Sequence, residues 1–371
     1  MKTSVYMRWA KEHAAARYNL ANSGLLACGP GDLAFTLEDV LINGSAPDGH
    51  PPLLKAVGAR YGVEPERVVP AAGTSGANFL ALAALMEPGD EVLVERPTYE
   101  PVLAALRALG ARIRRFERRS EDGWRPDPGS LRAALAGGRV RLVVLINPHN
   151  PTGVLLERDE VAEIARLAEA AGAFLLVDEV YRDIWLEDAP PSHVHLGPHV
   201  LASNSLTKSY GLSGLRCGWV LCGTRDLADR LRLARDFMEA VGSLPSDGLA
   251  LAAFRQIEHL EARARGLLEP NLQLVRAFLA EHAEWLDCVL PRRTLMAFPR
   301  LRKEEDAQPL HDWLRERETS IVPGRFFEYP GFFRLGFAVR TEDVAAGLEH
   351  LGDYFAKCSR NARTSSGSRS E

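Results

Sequence analysis

The fold of this chain is decided by residues 141–181, RLVVLINPHNPTGVLLERDEVAEIARLAEAAGAFLLVDEVY. Two apolar runs of strand length, 141–148 and 173–181, flank a stretch with apolar residues at helical spacing, 157–171. The helical stretch begins with acidic residues, which suit the positive end of a helix, and it ends at Gly172. The pattern therefore predicts a strand, a helix and a second strand parallel to the first.

The same alternation continues outward along the chain. Runs 91–97 and 199–205 are interpreted as further strands, and 101–109 as a further helix. We therefore predict an α/β fold with a largely parallel (mixed) central sheet covered by helices, together with a smaller α+β domain. Ligands of such sheets bind beyond the carboxyl ends of the strands, so the loops after the strands are where chemistry is expected.

Beyond about residue 225 the pattern changes to long, Arg-rich amphipathic helices and then to short strands. The helices are expected at 225–241, 249–281 and 341–356, and the strands at 288–290, 294–298 and 332–339. The predicted division is an N-terminal segment 1–44 that joins the small domain, a large domain 45–260, a small domain 261–358 and a tail 359–371. The tail is rich in Ser and Arg without apolar periodicity, so we expect it to be disordered.

Composition excludes several classes of protein. The 371 residues are 46% apolar and 25% charged, which is typical of a globular protein and not of a disordered or disulfide-stapled one. A net charge of −4 gives no basic field for nucleic acid or an anionic membrane. No signal peptide or membrane-spanning run is recognisable, so we expect a cytoplasmic protein. The five scattered cysteines form no CxxC pair, so neither a disulfide nor a metal site is predicted.

The most informative motif is SNSLTKSYGLSGLRCGW, residues 203–219. Lys208 lies just after the end of a predicted strand. A single lysine is usually a solvated surface residue, but the apolar neighbours Tyr210 and Leu212 suit a buried one better. Burial and nearby positive charge would lower the pKa of the amine and make it a nucleophile. Ser205 and Arg216 add a hydroxyl and a planar cation, a pair suited to a phosphate group.

Three further motifs carry polar residues at the ends of predicted elements. AGTSGA, residues 72–77, opens an apolar helix and offers either backbone N–H groups to an anion or an ordinary Ser/Thr helix cap. VDEVY, residues 177–181, places Asp178 where a carboxylate needs a cationic partner, unless it is a cap or a solvated acid. NPHNPTG, residues 147–153, also comes directly after a strand, and a plain turn would not explain an amide on each side of His149.

Together these motifs resemble those of the pyridoxal-phosphate (PLP) enzymes of aminotransferase fold type I, class I/II. The resemblance runs from about residue 20 to 355, with the motifs in the family's order. It implies an aminotransferase that uses pyridoxal 5'-phosphate to move an amino group between an L-amino acid and a 2-oxo acid. A PLP-dependent lyase, cyclase or racemase is the alternative. A non-catalytic PLP-binding regulator is a third hypothesis, but such regulators carry a winged-helix domain for which about 20 N-terminal residues leave no room.

The resemblance also implies a role for each motif residue. Lys208 would hold PLP as a Schiff base and shuttle the substrate proton, and Asp178 would pair with the pyridine nitrogen. Tyr181 and Asn150 would hydrogen-bond the phenolic oxygen, and Tyr99 would stack on the ring. The phosphate would be held by four residues, Thr74, Ser75, Ser205 and Arg216, and Gly73 and Gly76 would permit the backbone to approach it closely. The substrate carboxylate would be bound by three residues: Arg334 in FFRLGFA, Asn150 and Gly24.

Two positions depart from the family's pattern. Gly44 stands where many relatives have a tyrosine that reaches the partner subunit's phosphate, so that contact is absent or is replaced by Ser45 or Asn43. Ser75 stands where a dicarboxylate-specific branch has a lysine, so we expect neutral or aromatic amino acids to be better donors than aspartate. The resemblance further implies a homodimer and cis peptide bonds at Arg96–Pro97 and Asn150–Pro151.

Overall fold

The fold is built around a central sheet whose strands present alternate residues to two separate apolar cores, one on each face. The computed structural model describes residues 3–13, 15–29, 31–137, 139–184, 191–290 and 292–367. Its helices are α1 (Val5–Glu12), α2 (Pro51–Tyr61), α3 (Gly73–Leu85), α4 (Glu100–Ala108), α5 (Pro128–Leu135), α6 (Arg158–Ala170), α7 (Arg225–Arg235), α8 (Leu244–Phe254), α9 (Ile257–Glu281), α10 (Gln308–Arg315) and α11 (Thr341–Gly367). Its strands are β1 (Tyr18–Asn19), β2 (Val68–Ala72), β3 (Glu91–Arg96), β4 (Arg112–Glu117), β5 (Val140–Ile146), β6 (Phe174–Asp178), β7 (Val200–Ser205), β8 (Cys217–Cys222), β9 (Leu286–Asp287), β10 (Met296–Ala297), β11 (Arg300–Leu301), β12 (Thr319–Ser320), β13 (Val322–Pro323) and β14 (Phe333–Gly336).

The central sheet has seven strands in the order β2-β8-β7-β6-β5-β3-β4. Its pairs are parallel except for those of β8, which runs antiparallel to both β2 and β7. In β5, Val143 packs into one core and Val144 into the other, as expected when neighbouring side chains point to opposite faces of a sheet. The predicted largely parallel, mixed α/β sheet covered by helices is therefore confirmed.

The chain divides into two compact units. The large unit contains residues 1–4, 24–150 and 154–265, and the small unit contains residues 5–23, 151–153 and 266–371. Residues 24–44, expected in the small domain, belong to the large unit. Their backbone is bonded there, since the Leu25 N–H donates to the Lys208 carbonyl and the Cys28 N–H to that of Gly211. The small unit has a three-stranded antiparallel sheet, β10-β14-β13, and two strand pairs, β9-β11 and β1-β12.

Several predicted element bounds are wrong. The helix expected at 225–241 ends at Arg235, and the exposed side chains of Leu233 and Phe237 show that the apolar pattern there is not a core stripe. The helix expected at 249–281 is two helices, with a break beside Gln256, whose side chain bonds the backbone of Ala34. The strand expected at 288–290 lies at Leu286–Asp287.

The last helix extends further than the sequence indicates. α11 continues to Gly367, so residues 359–367 of the expected disordered tail are helical, and 368–371 lie outside the described residues. Among the described residues, no helix is both long and apolar enough to cross a membrane.

Candidate active site

The first turn of α3 meets the ends of β7 and β8. Thr74 Oγ1 donates a hydrogen bond to Ser205 Oγ at 2.7 Å, and both residues are buried. Arg216 Nη2 donates to the carbonyl of Ala72, the residue before the helix, at 3.2 Å. Ser75 is exposed in the same turn, beside Gly76. The first N–H groups of an α-helix have no partner within the helix, so this corner joins two hydroxyls and a guanidinium to backbone donors that suit an anion.

Gly73 permits this close approach. Its φ is +69°, and a Cβ at this position would lie 2.5 Å from Arg216 Nη2. A side chain would therefore both strain the backbone and displace the guanidinium.

Asp178 lies at the carboxyl end of β6 and is only 4% exposed. Its carboxylate accepts hydrogen bonds from Asn78 Nδ2 at 2.7 Å and from the Val180 N–H at 3.1 Å. Asn78 is held in turn, because Ser203 Oγ donates to its Oδ1 at 2.5 Å. Burial raises the pKa of Asp178 to about 6, while these hydrogen bonds and the charge of Lys208 act to lower it. The site therefore contains a buried carboxylate that a cation would stabilise.

Lys208 lies in the loop after β7 and is partly buried. Its carbonyl accepts from the Leu25 N–H at 2.9 Å, which places Gly24, the preceding residue, beside the same loop. Ser209 Oγ donates to the Val180 carbonyl at 3.0 Å, so the loop is bonded to the segment just after Asp178. These contacts bring together the predicted lysine, the predicted aspartate and Gly24.

Asn150 and Tyr181 form a second pair at the same edge of the sheet. Asn150 Nδ2 donates to Tyr181 Oη at 3.3 Å, and both side chains are buried. Tyr99 occupies the residue position just before α4, shortly after β3, and it is partly buried against the core on one face of the sheet. The two residues expected at the phenolic oxygen thus lie in direct contact.

Arg334 lies on β14 in the small unit and is fully buried. Its Nη2 donates to Tyr6 Oη at 2.9 Å and to the Ala21 carbonyl at 2.8 Å. Its guanidinium also lies over the rings of Tyr6 and Phe327. The residue is thus not the outward-facing strand residue that its position alone would allow.

The two predicted cis bonds have different outcomes. Arg96–Pro97 is cis, as predicted. The prediction for Asn150–Pro151 is wrong, because the cis bond of this loop is Asn147–Pro148. β5 ends at Ile146, so Pro148 and not Pro151 is the proline of the turn that leaves the strand.

Sequence reasoning missed two residues that hold the predicted ones. Asn78 has a recognisable signal, because it is a polar residue within the apolar helix GTSGANFLALAAL and a buried amide needs partners. Tyr6 has no recognisable signal in the sequence, since its partner Arg334 lies 328 residues further along the chain.

Comparison with known proteins agrees with this geometry. The family profile "Aminotransferase class I and II" matches residues 41–351. Capreomycidine synthase of Streptomyces vinaceus is 33% identical over 97% of this chain and 95% of its own length. Two solved structures have a TM-score of 0.87. They are a PLP-dependent aminotransferase from Streptococcus suis, 30% identical over 95% of this chain and 96% of its own, and the PLP-dependent cyclase OrfR, 26% identical over 96% and 98%. The chain therefore belongs to the class I and II aminotransferase family, whose members use pyridoxal phosphate.

Proposed function

We propose that this protein is a PLP-dependent enzyme that acts on an L-amino acid, with Lys208 as the base that takes and returns the proton at the substrate Cα. The observation that carries the proposal is the buried carboxylate of Asp178, which accepts hydrogen bonds from Asn78 and the Val180 N–H and whose pKa the charge of Lys208 also acts to lower. A carboxylate so deeply buried raises the free energy of the fold unless a cation balances it. A protonated pyridine nitrogen is such a cation.

The residues of the site fit the cofactor. Thr74, Ser205 and Arg216 would hold the phosphate together with the first turn of α3, where the missing Cβ of Gly73 leaves room for Arg216. Asp178 would accept a hydrogen bond from the ring nitrogen. The remaining contacts would come from three residues: Tyr99 at the ring face, and Asn150 and Tyr181 at the phenolic oxygen. When bound, the cofactor supplies an electron sink for the charge left at Cα.

The chain's own residues then orient the substrate and move one proton. Arg334 would bind the substrate carboxylate through its planar guanidinium. For Asn150 and Gly24 of the large unit, a substrate contact rests on the family resemblance alone. The amine of Lys208 would receive the Cα proton and deliver it to an acceptor atom nearby. The backbone here is held at two adjacent residues, since the Lys208 carbonyl accepts from the Leu25 N–H and Ser209 Oγ donates to the Val180 carbonyl, which would keep the amine close to its target.

Transamination is the first candidate for the reaction that the loss of the Cα proton begins. Return of that proton at a different atom allows the amino group to be transferred to a 2-oxo acid. The similarity to an aminotransferase from Streptococcus suis over nearly the whole of both chains supports this candidate. The exposed Ser75 offers no cation for a distal carboxylate, which agrees with a neutral or aromatic donor.

Cyclisation is the second candidate. Loss of the same proton also permits a leaving group on the neighbouring carbon of the substrate to depart, after which a nucleophile of the substrate can add to that carbon and close a ring. The relative matched along 97% of this chain is a capreomycidine synthase, and the solved cyclase OrfR has the same TM-score as the aminotransferase. These two similarities give this candidate weight equal to the first.

One experiment separates the two candidates. The purified holoenzyme is incubated with a panel of neutral, aromatic, basic and acidic amino acids, with and without pyruvate or 2-oxoglutarate, and the products are analysed by mass spectrometry. A transaminase converts the added oxo acid into its amino acid and needs it for repeated turnover. A cyclase or lyase turns over without an oxo acid, and a cyclase gives a product that keeps the amino nitrogen. If no amino acid changes the absorbance of the bound cofactor, the proposal of an amino-acid enzyme is wrong.

We also propose a homodimer. Apolar side chains are strongly exposed in two segments of the large unit, Leu37 and Ile42 in one and Leu233 and Phe237 in the other. The guanidinium of Arg235, between Leu233 and Phe237, donates to the carbonyl of Pro47, a few residues after Ile42. Exposed apolar side chains of this size are typical of a protein interface, and a second copy of this chain is the partner that we propose.

A further inference from the structure

We propose that Tyr6, on the N-terminal helix α1, is a positioning residue that fixes the guanidinium of Arg334 for the carboxylate of the substrate. The inference rests on the proposed function, in which Arg334 binds that carboxylate. Tyr6 belongs to none of the motifs found in the sequence. Its role is indicated by contacts within the small unit.

The hydroxyl of Tyr6 and the carbonyl of Ala21 engage one nitrogen of Arg334. Nη2 donates to Tyr6 Oη at 2.9 Å and to the Ala21 oxygen at 2.8 Å. A guanidinium Nη carries two N–H groups in the plane of the fork. Two acceptors on one nitrogen therefore determine the rotation of the whole plane, and with it the direction in which the rest of the fork points.

Aromatic rings hold the same guanidinium from its faces. Its central carbon lies 5.7 Å from the ring centroid of Tyr6 and 5.4 Å from that of Phe327. Cation–π contacts of this kind stabilise a buried charge without using its N–H groups. Tyr6 thus contacts Arg334 twice, through its ring and through its hydroxyl.

The ring of Tyr6 is anchored independently of the hydroxyl. It packs against Phe326 and Phe327 with centroid distances of 5.8 and 6.0 Å, and Trp9 lies one turn further along α1. Tyr6 is 5% exposed and Trp9 6%, so this face of the helix is buried. The substitution Tyr6→Phe is therefore expected to keep the packing of the ring and to remove the hydroxyl, which is one of the two acceptors of Arg334 Nη2.

The test compares ligands that differ only in the carboxylate. The probes are phenylalanine with phenethylamine, leucine with isopentylamine, and arginine with agmatine, each titrated into the holoenzyme with the absorbance of the cofactor as the readout. The pair that the wild type binds most tightly is used, and the preference for the carboxylate is the affinity for the amino acid divided by the affinity for the amine. We expect Tyr6→Phe to weaken binding of the amino acid about five- to tenfold, the effect of one hydrogen bond. Binding of the amine should not change, because the amine makes no contact that depends on Arg334.

Two control variants make the outcome interpretable. Tyr354→Phe removes a similarly buried hydroxyl of the small unit, one that donates to Glu304, and it should leave the preference for the carboxylate unchanged. Arg334→Leu should abolish that preference. A preference lost in Arg334→Leu but intact in Tyr6→Phe overturns the role of Tyr6 and leaves the proposed function standing. A preference intact in both variants shows instead that Arg334 does not bind the carboxylate. The circular dichroism spectrum of Tyr6→Phe checks its folding, and the titrations of wild type and variants are made at a temperature at which their spectra match.

Discussion

Asp178 should lower the stability of the apoprotein at neutral pH. Its pKa of about 6 lies above its usual 3.8, so between these values the folded state binds more protons than the unfolded state. Stability therefore falls as the pH rises from about 4 to about 6 and stays low above that. We expect Asp178→Asn to raise the free energy of unfolding of the apoprotein by up to about 3 kcal/mol at pH 7 and by little at pH 4.

Urea denaturation of the apoprotein at the two pH values checks this prediction, with Asp122→Asn as the control at an exposed position. The same variant should bind PLP more weakly, because the amide cannot balance a protonated ring nitrogen. Equal stability of variant and wild type at both pH values would show that burial of the charged Asp178 carboxylate does not destabilise the folded apoprotein.

Lys208→Ala should separate catalysis from cofactor binding. The contacts expected at the phosphate and the ring come from other residues, so the variant should fold and retain some PLP non-covalently. Activity should fall by at least the factor of about 10²–10⁴ that a positioned base contributes. After borohydride reduction, mass spectrometry should find PLP bound covalently to the wild type and to Lys55→Ala, a substitution on the exposed face of α2, but not to Lys208→Ala. Covalent PLP on Lys208→Ala would assign the Schiff base to another lysine.

At the scale of elements, a buried ion pair joins the ends of three strands near the site. Arg118 Nη1, just after β4, donates to Glu95 Oε2 on β3 at 2.8 Å, and Glu95 Oε1 accepts from the Ile146 N–H on β5 at 2.7 Å. His149 Nε2 lies 3.0 Å from the Pro97 carbonyl and 3.6 Å from Glu95. The network thus ties together the loops that carry Tyr99 and Asn150.

Removing one member of this ion pair should lower the free energy of unfolding far more than removing both members. Glu95→Ala leaves Arg118 as a buried charge without its counter-ion, and we expect it to lower the free energy of unfolding by about 3–5 kcal/mol. The double variant Glu95→Leu/Arg118→Met should recover most of that loss. The exposed pair Glu163–Arg166 is the control, and Glu163→Ala should lower the free energy of unfolding far less than Glu95→Ala, because solvent screens this pair. Urea denaturation measures all three, and a loss in Glu95→Ala as small as in the control would contradict the argument.

Local pattern predicted the central strands closely and the later helices less well. β3, β5, β6 and β7 end within three residues of the predicted positions, because each is a continuous apolar run with polar turn residues after it. α7 ends early although the apolar spacing continues, since residues such as Phe237 are exposed and do not face a core. Periodicity detects apolar spacing but cannot tell a buried stripe from a surface that binds another molecule.

The same limit applies to the candidate site: residues within a short motif can be predicted from the sequence, and contacts between residues far apart in the chain cannot. Thr74, Asp178 and Lys208 are recognisable because each lies at the end of an element within a short motif. Asn78 and Tyr6 act on residues 100 and 328 positions away, and only folding brings such pairs together. The substrate specificity of a site depends on contacts between residues that are far apart in the sequence. The sequence therefore indicates the cofactor more clearly than the substrate.

For the whole molecule, the exposed apolar surface predicts self-association. Leu37, Ile42 and Phe237 are 88%, 79% and 94% exposed, and Arg235, close to Phe237, bonds the carbonyl of Pro47, a few residues after Ile42. Burying this surface against a second copy would remove apolar side chains from water, a gain of about 25 cal/mol per Å². The double variant Ile42→Asp/Phe237→Asp would place two charges in that interface and should therefore shift the dimer to monomers.

Sedimentation velocity at micromolar concentration measures the change. We expect a dimer for the wild type and for Leu290→Asp, a substitution of an exposed apolar residue in the small unit, and a monomer for the double variant. Far-UV circular dichroism should be unchanged in all three, because these side chains are not part of the folded core. A fully active wild type that sediments as a monomer would contradict the proposed dimer. The exposed apolar side chains within residues 35–42 and 233–241 would then have to serve a different partner.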